Sequence, residues 1–181
     1  MTYYGSKELA DSLRVVRKNT LRIAEDIPES QYGFRPAPDS RSVAELLAHI
    51  ALGYRFQKTV HADEHRSTLA GLDYVALVAG LRGEEARLAT KAQILDALAE
   101  NGRAWASWIE SLPEDFLAER VEVPGEPPSS KSRFEMLLST KEHEMHHRGQ
   151  LMLIERLLGI VPHLTRERQA RAQARPAGTG S

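Results

Sequence analysis

The chain has 181 residues, of which 41% are hydrophobic and 27% charged, and its net charge of −1 is typical of a one-domain globular protein rather than a dedicated nucleic-acid-binding protein. It has no cysteine, which excludes disulfides, cysteine nucleophiles and thiolate-ligated zinc. No apolar run approaches the ~20 residues that span a bilayer, and the first residues lack the apolar core of a signal peptide, so we expect a cytoplasmic protein with no membrane partner.

The first half of the chain predicts two long helices. Apolar residues spaced three and four apart form one seam before Pro28, which ends the first helix. Residues 28–41 contain three prolines and predict an irregular connector. Ser42 and Glu45 then have the spacing of a capping box, which predicts that the second helix begins here. The seam of the first helix consists of Leu9, Leu13, Val16, Thr20, Ile23 and Ile27.

The second half predicts two more long helices, each with its own capping box. Thr90 pairs with Gln93, and Ser132 pairs with Glu135. The helix after Ser132 is apolar on more of its circumference than the others, so we expect it to be the most deeply buried. Trp105 and Trp108, in the third long helix, fit a core better than a substrate-binding wall.

The remaining segments are shorter and set the domain organisation. Residues 72–88 predict a short helix interrupted at Gly80 and Gly83, and VEV at 121–123 is the one stretch that alternates as a strand does. Four long amphipathic helices, with a long connection between the second and third, predict an all-α fold, a four-helix bundle. We assign this bundle to residues 1–162. Residues 163–181 are arginine-rich and then small and polar, which predicts a basic, flexible C-terminal tail.

Two histidines stand out because they interrupt an apolar seam. His143 and His147 are four residues apart, which places both rings on one helix face about 5–6 Å apart. A buried imidazole needs partners for its donor and its acceptor, and a metal ion with an outer hydrogen-bond acceptor supplies both. A pair of hydrogen-bonded or solvent-facing histidines is the alternative, and the spacing alone does not decide between the two.

His49 is a candidate third ligand, in the middle of the second helix. A histidine there is more often a packed polar residue than a ligand, but a bundle can bring the second and fourth helices side by side. Three neutral imidazole nitrogens would leave a coordination position open to water or substrate, as in catalytic sites.

The other four histidines are weaker candidates. His146 lies one residue off the paired face and would line the rim of the site. His61 and His65 are expected to be solvated at the surface, and His163, after Pro162, is expected to be exposed.

His143-Glu144-x-x-His147 also matches the zinc-peptidase motif, with Glu144 as general base. A peptidase needs a third ligand downstream, and Glu167 is a poor candidate in the arginine-rich tail. Such enzymes also present an edge strand to the peptide, and this sequence predicts almost no strands. A peptidase is therefore disfavoured.

Two stretches carry a family resemblance. "SVAELLAHI" at 42–50 and "HEMHHRGQL" at 143–151 resemble the DinB/YfiT family of metal-binding four-helix bundles. The resemblance implies that His49, His143 and His147 bind a divalent metal ion, zinc or nickel. It also implies a homodimer and, for some members, transfer of a low-molecular-weight thiol to an electrophile.

The main functional hypothesis is therefore a metal-dependent enzyme, a thiol-dependent S-transferase acting on a small electrophilic molecule. Because the chain has no cysteine, the thiol must come from solution as a cosubstrate. The alternatives are a non-catalytic metal-binding or interaction module and a metal-dependent hydrolase that uses Glu144 as base. Next to the ligands, Gln150 is expected to hydrogen-bond near the ion, Arg148 to form an ion pair, and Gly149 to allow a neighbouring helix to approach.

Overall fold

The computed structural model describes residues 4–125 and 129–174. Four long helices form a bundle, and short elements lie in the connections between them. In chain order the elements are α1 (Ser6–Asp26), a 3-10 turn (Glu29–Gln31), α2 (Val43–Leu52), α3 (Arg55–Lys58), a π turn (Thr59–Asp63), α4 (Tyr74–Glu85), α5 (Lys91–Glu110), α6 (Glu114–Ala118), β1 (Arg120–Glu122), β2 (Ser130–Ser132), α7 (Arg133–Leu157) and α8 (His163–Gln173).

The four predicted long helices are confirmed as α1, α2, α5 and α7, and the all-α fold with them. All three predicted capping boxes form: Ser42, Thr90 and Ser132 each accept a hydrogen bond from the backbone N–H three residues later. In each case the Glu or Gln side chain at that later position accepts from the backbone N–H of the capping residue. Two orphan donors are thus satisfied at each helix start, which fixes where α2 and α7 begin.

The described residues form three clusters of buried hydrophobic side chains. One surrounds Leu47, Ile94 and Leu151, a second surrounds Leu9 and Trp105, and a smaller third contains Val60, Val121 and Met136. Trp105 is buried and stacks on Trp108, with ring centroids 4.7 Å apart, so the prediction that the tryptophans belong to the core is confirmed.

Helix α4 differs from its prediction. It runs through Gly80 and Gly83 without interruption, so the predicted break is wrong. An exposed glycine lowers helix propensity by about 1 kcal/mol but removes no hydrogen bond, and Asp73 caps the helix by accepting from the Ala76 N–H at 2.9 Å. No residue of α4 is fully buried, so this helix lies on the outside of the bundle.

The strand predicted at VEV corresponds to β1. This strand pairs antiparallel with β2, and Val121 of β1 is buried.

The C-terminal helix α8 begins at His163. This residue is 4% exposed, so the prediction of an exposed histidine is wrong; its Nε2 lies 3.3 Å from Asn19 Oδ1 on α1.

The boundary between 1–162 and 163–181 stays a prediction, and residues 175–181 of the predicted tail lie outside the described part of the chain. None of the helices in the described part is long and apolar enough to cross a membrane.

Candidate metal centre

Helices α2 and α7 bring the three sequence-predicted histidines together. His49 Nε2 lies 3.0 Å from His143 Nε2, and His147 Nε2 lies 3.1 Å from the same atom. One ligand atom from each of the three residues falls within 4.8 Å of the other two. Nitrogen ligands of a tetrahedral zinc ion at 2.0–2.1 Å are about 3.3 Å apart, so the separations fit such an ion to within a few tenths of an ångström.

The outer nitrogens of two of these rings have protein partners. His49 Nδ1 donates to Glu85 Oε1 at 2.7 Å, and His147 Nδ1 donates to Gln150 Oε1 at 2.8 Å. A neutral imidazole has one N–H, so these bonds leave the Nε2 lone pairs of both rings directed at the shared centre. The hydrogen bond predicted for Gln150 therefore forms with His147. Glu85 comes from α4 and was not predicted.

Burial favours the neutral form of the α7 histidines. Burial, together with the neighbouring rings of His147 and His49, lowers the pKa of His143 to about 4. Burial also lowers the pKa of His147, against the hydrogen bond to Gln150, which raises it. A neutral imidazole is the form that binds a metal ion, so protons compete only weakly for these nitrogens at neutral pH.

Gly53 fits the packing of the triad closely. A Cβ added there would lie 2.9 Å from both Cε1 and Nδ1 of His143, closer than side chains tolerate. A glycine immediately after α2 therefore lets the His143 ring lie against the end of the helix that carries His49. No local pattern in the sequence predicts this requirement.

Glu144 is held by a buried ion pair. Arg17 on α1 donates to Glu144 Oε1 from Nε and to Oε2 from Nη2, both at 2.9 Å. The two side chains are 12% and 5% exposed. Arg17 also donates to the carbonyl of Leu98 on α5 at 2.6 Å. This pairing ties α7 to α1 and α5, and it favours a structural role for Glu144 over that of a general base.

The other histidines divide between burial and exposure. His61 is 1% exposed, so its predicted surface position is wrong. Its burial is compensated because Nε2 donates to Gln57 Oε1 at 2.9 Å and Nδ1 accepts from Arg133 Nη1 at 2.9 Å. His65 is exposed as predicted and pairs with Glu119.

The predictions for the residues next to His143 and His147 have mixed outcomes. His146 is exposed and its Nε2 lies 3.2 Å from Gln150 Nε2, beside the triad as predicted. Within the described residues Arg148 has no ion-pair partner, and no atom lies within 4 Å of a Cβ built on Gly149, so neither predicted contact forms inside this chain. Glu167 pairs with Arg171 on α8 and is not part of the triad.

A cavity of about 620 Å³ adjoins the triad. His49 and His143 lie in its wall, and apolar residues of α2, α3 and α4 form much of the rest. Its size is within the range of small-molecule binding pockets. The apolar lining residues are Leu52, Phe56, Leu77, Val78 and Leu81.

Solved structures with the same architecture support the fold assignment. YjoA, a DinB-like protein from Bacillus subtilis, is 21% identical, with a TM-score of 0.62 over 84% of this chain and 92% of that one. YfiT from the same organism, described as a probable metal-dependent hydrolase with an unusual four-helix bundle topology, is 14% identical, with a TM-score of 0.65 over 88% and 91%. At these identities the likeness shows the fold alone.

A comparison with curated proteins finds no match. The family model of the DinB superfamily matches residues 12–151, which include α2, α7 and all three histidines of the triad. The match covers well over half of the sequence, so the chain belongs to the DinB superfamily.

Proposed function

We propose that His49, His143 and His147 bind one divalent metal ion, zinc or nickel, through their Nε2 atoms. The observation that carries this proposal is the direction of the lone pairs. Glu85 and Gln150 accept the Nδ1 protons of two rings, so the Nε2 electron pairs of His49 and His147 converge on the Nε2 atom of His143, and only imidazole nitrogens meet there among the described residues. A cation at that centre satisfies all three nitrogens, and outer partners of this kind are typical of metal-binding histidines.

An open coordination position is part of the proposal. Within the described residues, no fourth His, Asp or Glu side chain joins the cluster, and the cavity of about 620 Å³ reaches His49 and His143. Three protein ligands with an open position are typical of catalytic rather than structural sites.

We propose that the protein is a metal-dependent transferase that adds a low-molecular-weight thiol to a small electrophile. When bound, a divalent ion lowers the pKa of a thiol or a water molecule that occupies its open position. The carboxylates nearest the triad are engaged, Glu85 with His49 and Glu144 with Arg17. A divalent ion lowers the pKa of bound water to about 7 but deprotonates a coordinating thiol outright, so a thiol needs a free general base less than water does. The arrangement therefore favours a thiol over water as nucleophile.

The test is conjugate formation. Zinc- or nickel-loaded protein is incubated with cysteine, glutathione or another small thiol and with 1-chloro-2,4-dinitrobenzene, and the thioether is measured by absorbance. We expect a rate above that of metal-stripped protein and of His143→Ala. Equal rates in all three, with every thiol tried, would favour a non-catalytic metal-binding module.

A metal-dependent hydrolase is the second candidate, because YfiT, which has the same fold, carries that description. If Glu144 were the base, Glu144→Gln would abolish hydrolysis of any ester or amide that the loaded protein cleaves. The ion pair with Arg17 predicts instead a loss of stability with activity retained in the folded fraction.

A homodimer is also proposed, and the outer face of α7 is the surface that fits it best. Met145, Leu153 and Leu157 are 42%, 59% and 57% exposed along this face, where Gly149 leaves room for a second helix. Light scattering coupled to gel filtration would give a mass of two chains, and a monomer at micromolar concentration would contradict the proposal.

A further inference from the structure

We propose that the cavity beside the triad selects acceptor molecules that carry an anionic group, such as a carboxylate, on an apolar body, and that Arg41 anchors this group. The role of the bound molecule as acceptor depends on the proposed function above. Its binding by the cavity does not, because the argument uses only the residues that line it.

The apolar residues that line the cavity indicate that the ligand has an apolar body. Leu77, Val78 and Leu81 of α4 form one side, and Leu52 and Phe56 lie among the residues facing them. Transfer of a ligand's apolar surface from water to such a wall contributes roughly 25 cal/mol per Å². A molecule with an aromatic or branched aliphatic body therefore fits this wall better than a fully polar one.

Two arginines in the wall of the cavity indicate the charge of the ligand that it binds. Arg41 and Arg82 both line the cavity, and in the described part of the chain neither forms an ion pair or a side-chain hydrogen bond. Other arginines nearby do have partners: Arg17 pairs with Glu144, and Arg55 pairs with Glu84. The cavity therefore has a surplus of cationic donors.

The acidic residues of α4 compensate this surplus only in part. Glu84 accepts two hydrogen bonds from Arg55, at 2.7 and 2.8 Å, so its charge is paired with an arginine other than Arg41 and Arg82. Glu85 accepts from an imidazole nitrogen of His49, and its negative charge offsets one of the two arginines of the cavity and leaves the other. The charge of the lined space thus favours an anionic ligand.

Arg41 is the better anchor because it borders both cavities that reach the triad, whereas Arg82 borders one of them. The first is the 620 Å³ cavity that His49 lines, and the second is a cavity of about 550 Å³ that His147 lines. Arg41 immediately precedes Ser42, the cap of α2, so its backbone is fixed relative to His49. An anion at Arg41 would place the apolar body along α4, with the ligand spanning the mouth of the triad.

The test compares two probes that differ in charge. Isothermal titration calorimetry with zinc-loaded protein measures the binding of 4-phenylbutyrate and of its uncharged amide, 4-phenylbutanamide. Charge-assisted hydrogen bonds are roughly twice as strong as neutral ones, so we expect the acid to bind at least about tenfold more tightly. The methyl resonances of Leu77, Val78 and Leu81 should shift on addition of the acid.

The variants identify the anchor. Arg41→Gln should remove most of the preference for the acid, and Arg82→Gln should reduce it less. Arg168→Gln, which removes the same charge from an exposed position on α8, should leave it unchanged.

Three outcomes would overturn the inference: equal binding of acid and amide to the wild type, a preference that survives Arg41→Gln because the carboxylate binds the ion directly, or an equal loss in Arg168→Gln. Failure of the transferase assay together with Arg41-dependent binding would reject the proposed function and leave this inference standing.

Discussion

The molecule contains two clusters built on a buried histidine, and they differ in what the ring nitrogens contact. At His61 both nitrogens have protein partners, Gln57 on one side and Arg133 on the other. In the triad, the outer nitrogens of His49 and His147 have partners, but the inner nitrogens contact only other imidazoles. In the first cluster every ring nitrogen has a protein partner, whereas we propose that a metal cation binds the inner nitrogens of the second.

Burial alone therefore does not distinguish a structural histidine from a metal ligand. Burial lowers the pKa of His61 and of His143 alike, to about 4 in each case. What separates them is the group opposite the lone pair: an arginine N–H at His61, and two further lone-pair-bearing nitrogens at His143. The comparison can be tested by changing one residue at a time in each cluster.

The largest expected effect is loss of the metal ion. His143→Ala removes the ring whose Nε2 lies between the other two, so two imidazoles remain and we expect no metal above background after desalting. Metal content is measured by inductively coupled plasma mass spectrometry. His146→Ala is the matched control, since this exposed neighbour lies outside the triad and should retain the ion. Retention of a full equivalent by His143→Ala would refute ligation by the triad.

The second prediction concerns stability. His61→Ala should keep the ion but lower the free energy of unfolding by about 2–4 kcal/mol, because it leaves a cavity and an unpaired donor on Arg133, which is 2% exposed. Urea denaturation gives this free energy, and His65→Ala, at an exposed histidine, should change it by less than about 1 kcal/mol. Loss of metal from His61→Ala would show that the two clusters are not independent.

Sequence patterns predicted the two metal-site helices and the three histidines because these features are local. Capping boxes span four residues, and the spacing of His143 and His147 is one helical turn. Contacts between residues far apart in the sequence were missed because they depend on tertiary packing. Arg17 and Glu144 are separated by 127 positions, and His61 and Arg133 by 72. No local pattern indicates which two polar residues, far apart in the sequence, will be buried against each other.

Glu155 is a third buried polar group, and it has neither the protein partners of His61 nor a place in the triad. Its buried carboxylate provides a test of how stability depends on pH. Glu155 on α7 is 0% exposed, and its carboxylate oxygens have no hydrogen-bond partner in the described part of the chain. Burial and the charge of Asp26, opposed by Arg166 and Arg156, together raise its pKa to about 7.

Between the ordinary pKa near 4.5 and about 7, the unfolded chain has lost this proton while the folded chain keeps it, so the free energy of unfolding falls as pH rises through this window. Glu155→Gln should remove the penalty and stabilise the protein at pH 8 by up to about 3 kcal/mol, with little change at pH 4. Thermal unfolding at both pH values measures the difference, with Glu142→Gln as the exposed control. A variant less stable than wild type at pH 8 would show that the carboxylate has an ionic partner.

The smallest expected effect concerns the hydrogen bond that His49 Nδ1 donates to Glu85. Glu85→Gln keeps a hydrogen-bond acceptor for His49 Nδ1 but removes the negative charge that makes the ring a stronger ligand. We expect metal affinity to fall about 10- to 100-fold, measured by competition with a chromophoric chelator.

Glu84→Gln is the matched control for this change, because it alters the neighbouring carboxylate, which pairs with Arg55 instead of a ligand. If both variants lose affinity equally, then α4 acts only by its position over the bundle, and the outer hydrogen bond contributes nothing specific. If only Glu85→Gln loses affinity, then Glu85, in the connection between α2 and α5, strengthens metal binding at a site whose proposed ligands all lie on α2 and α7.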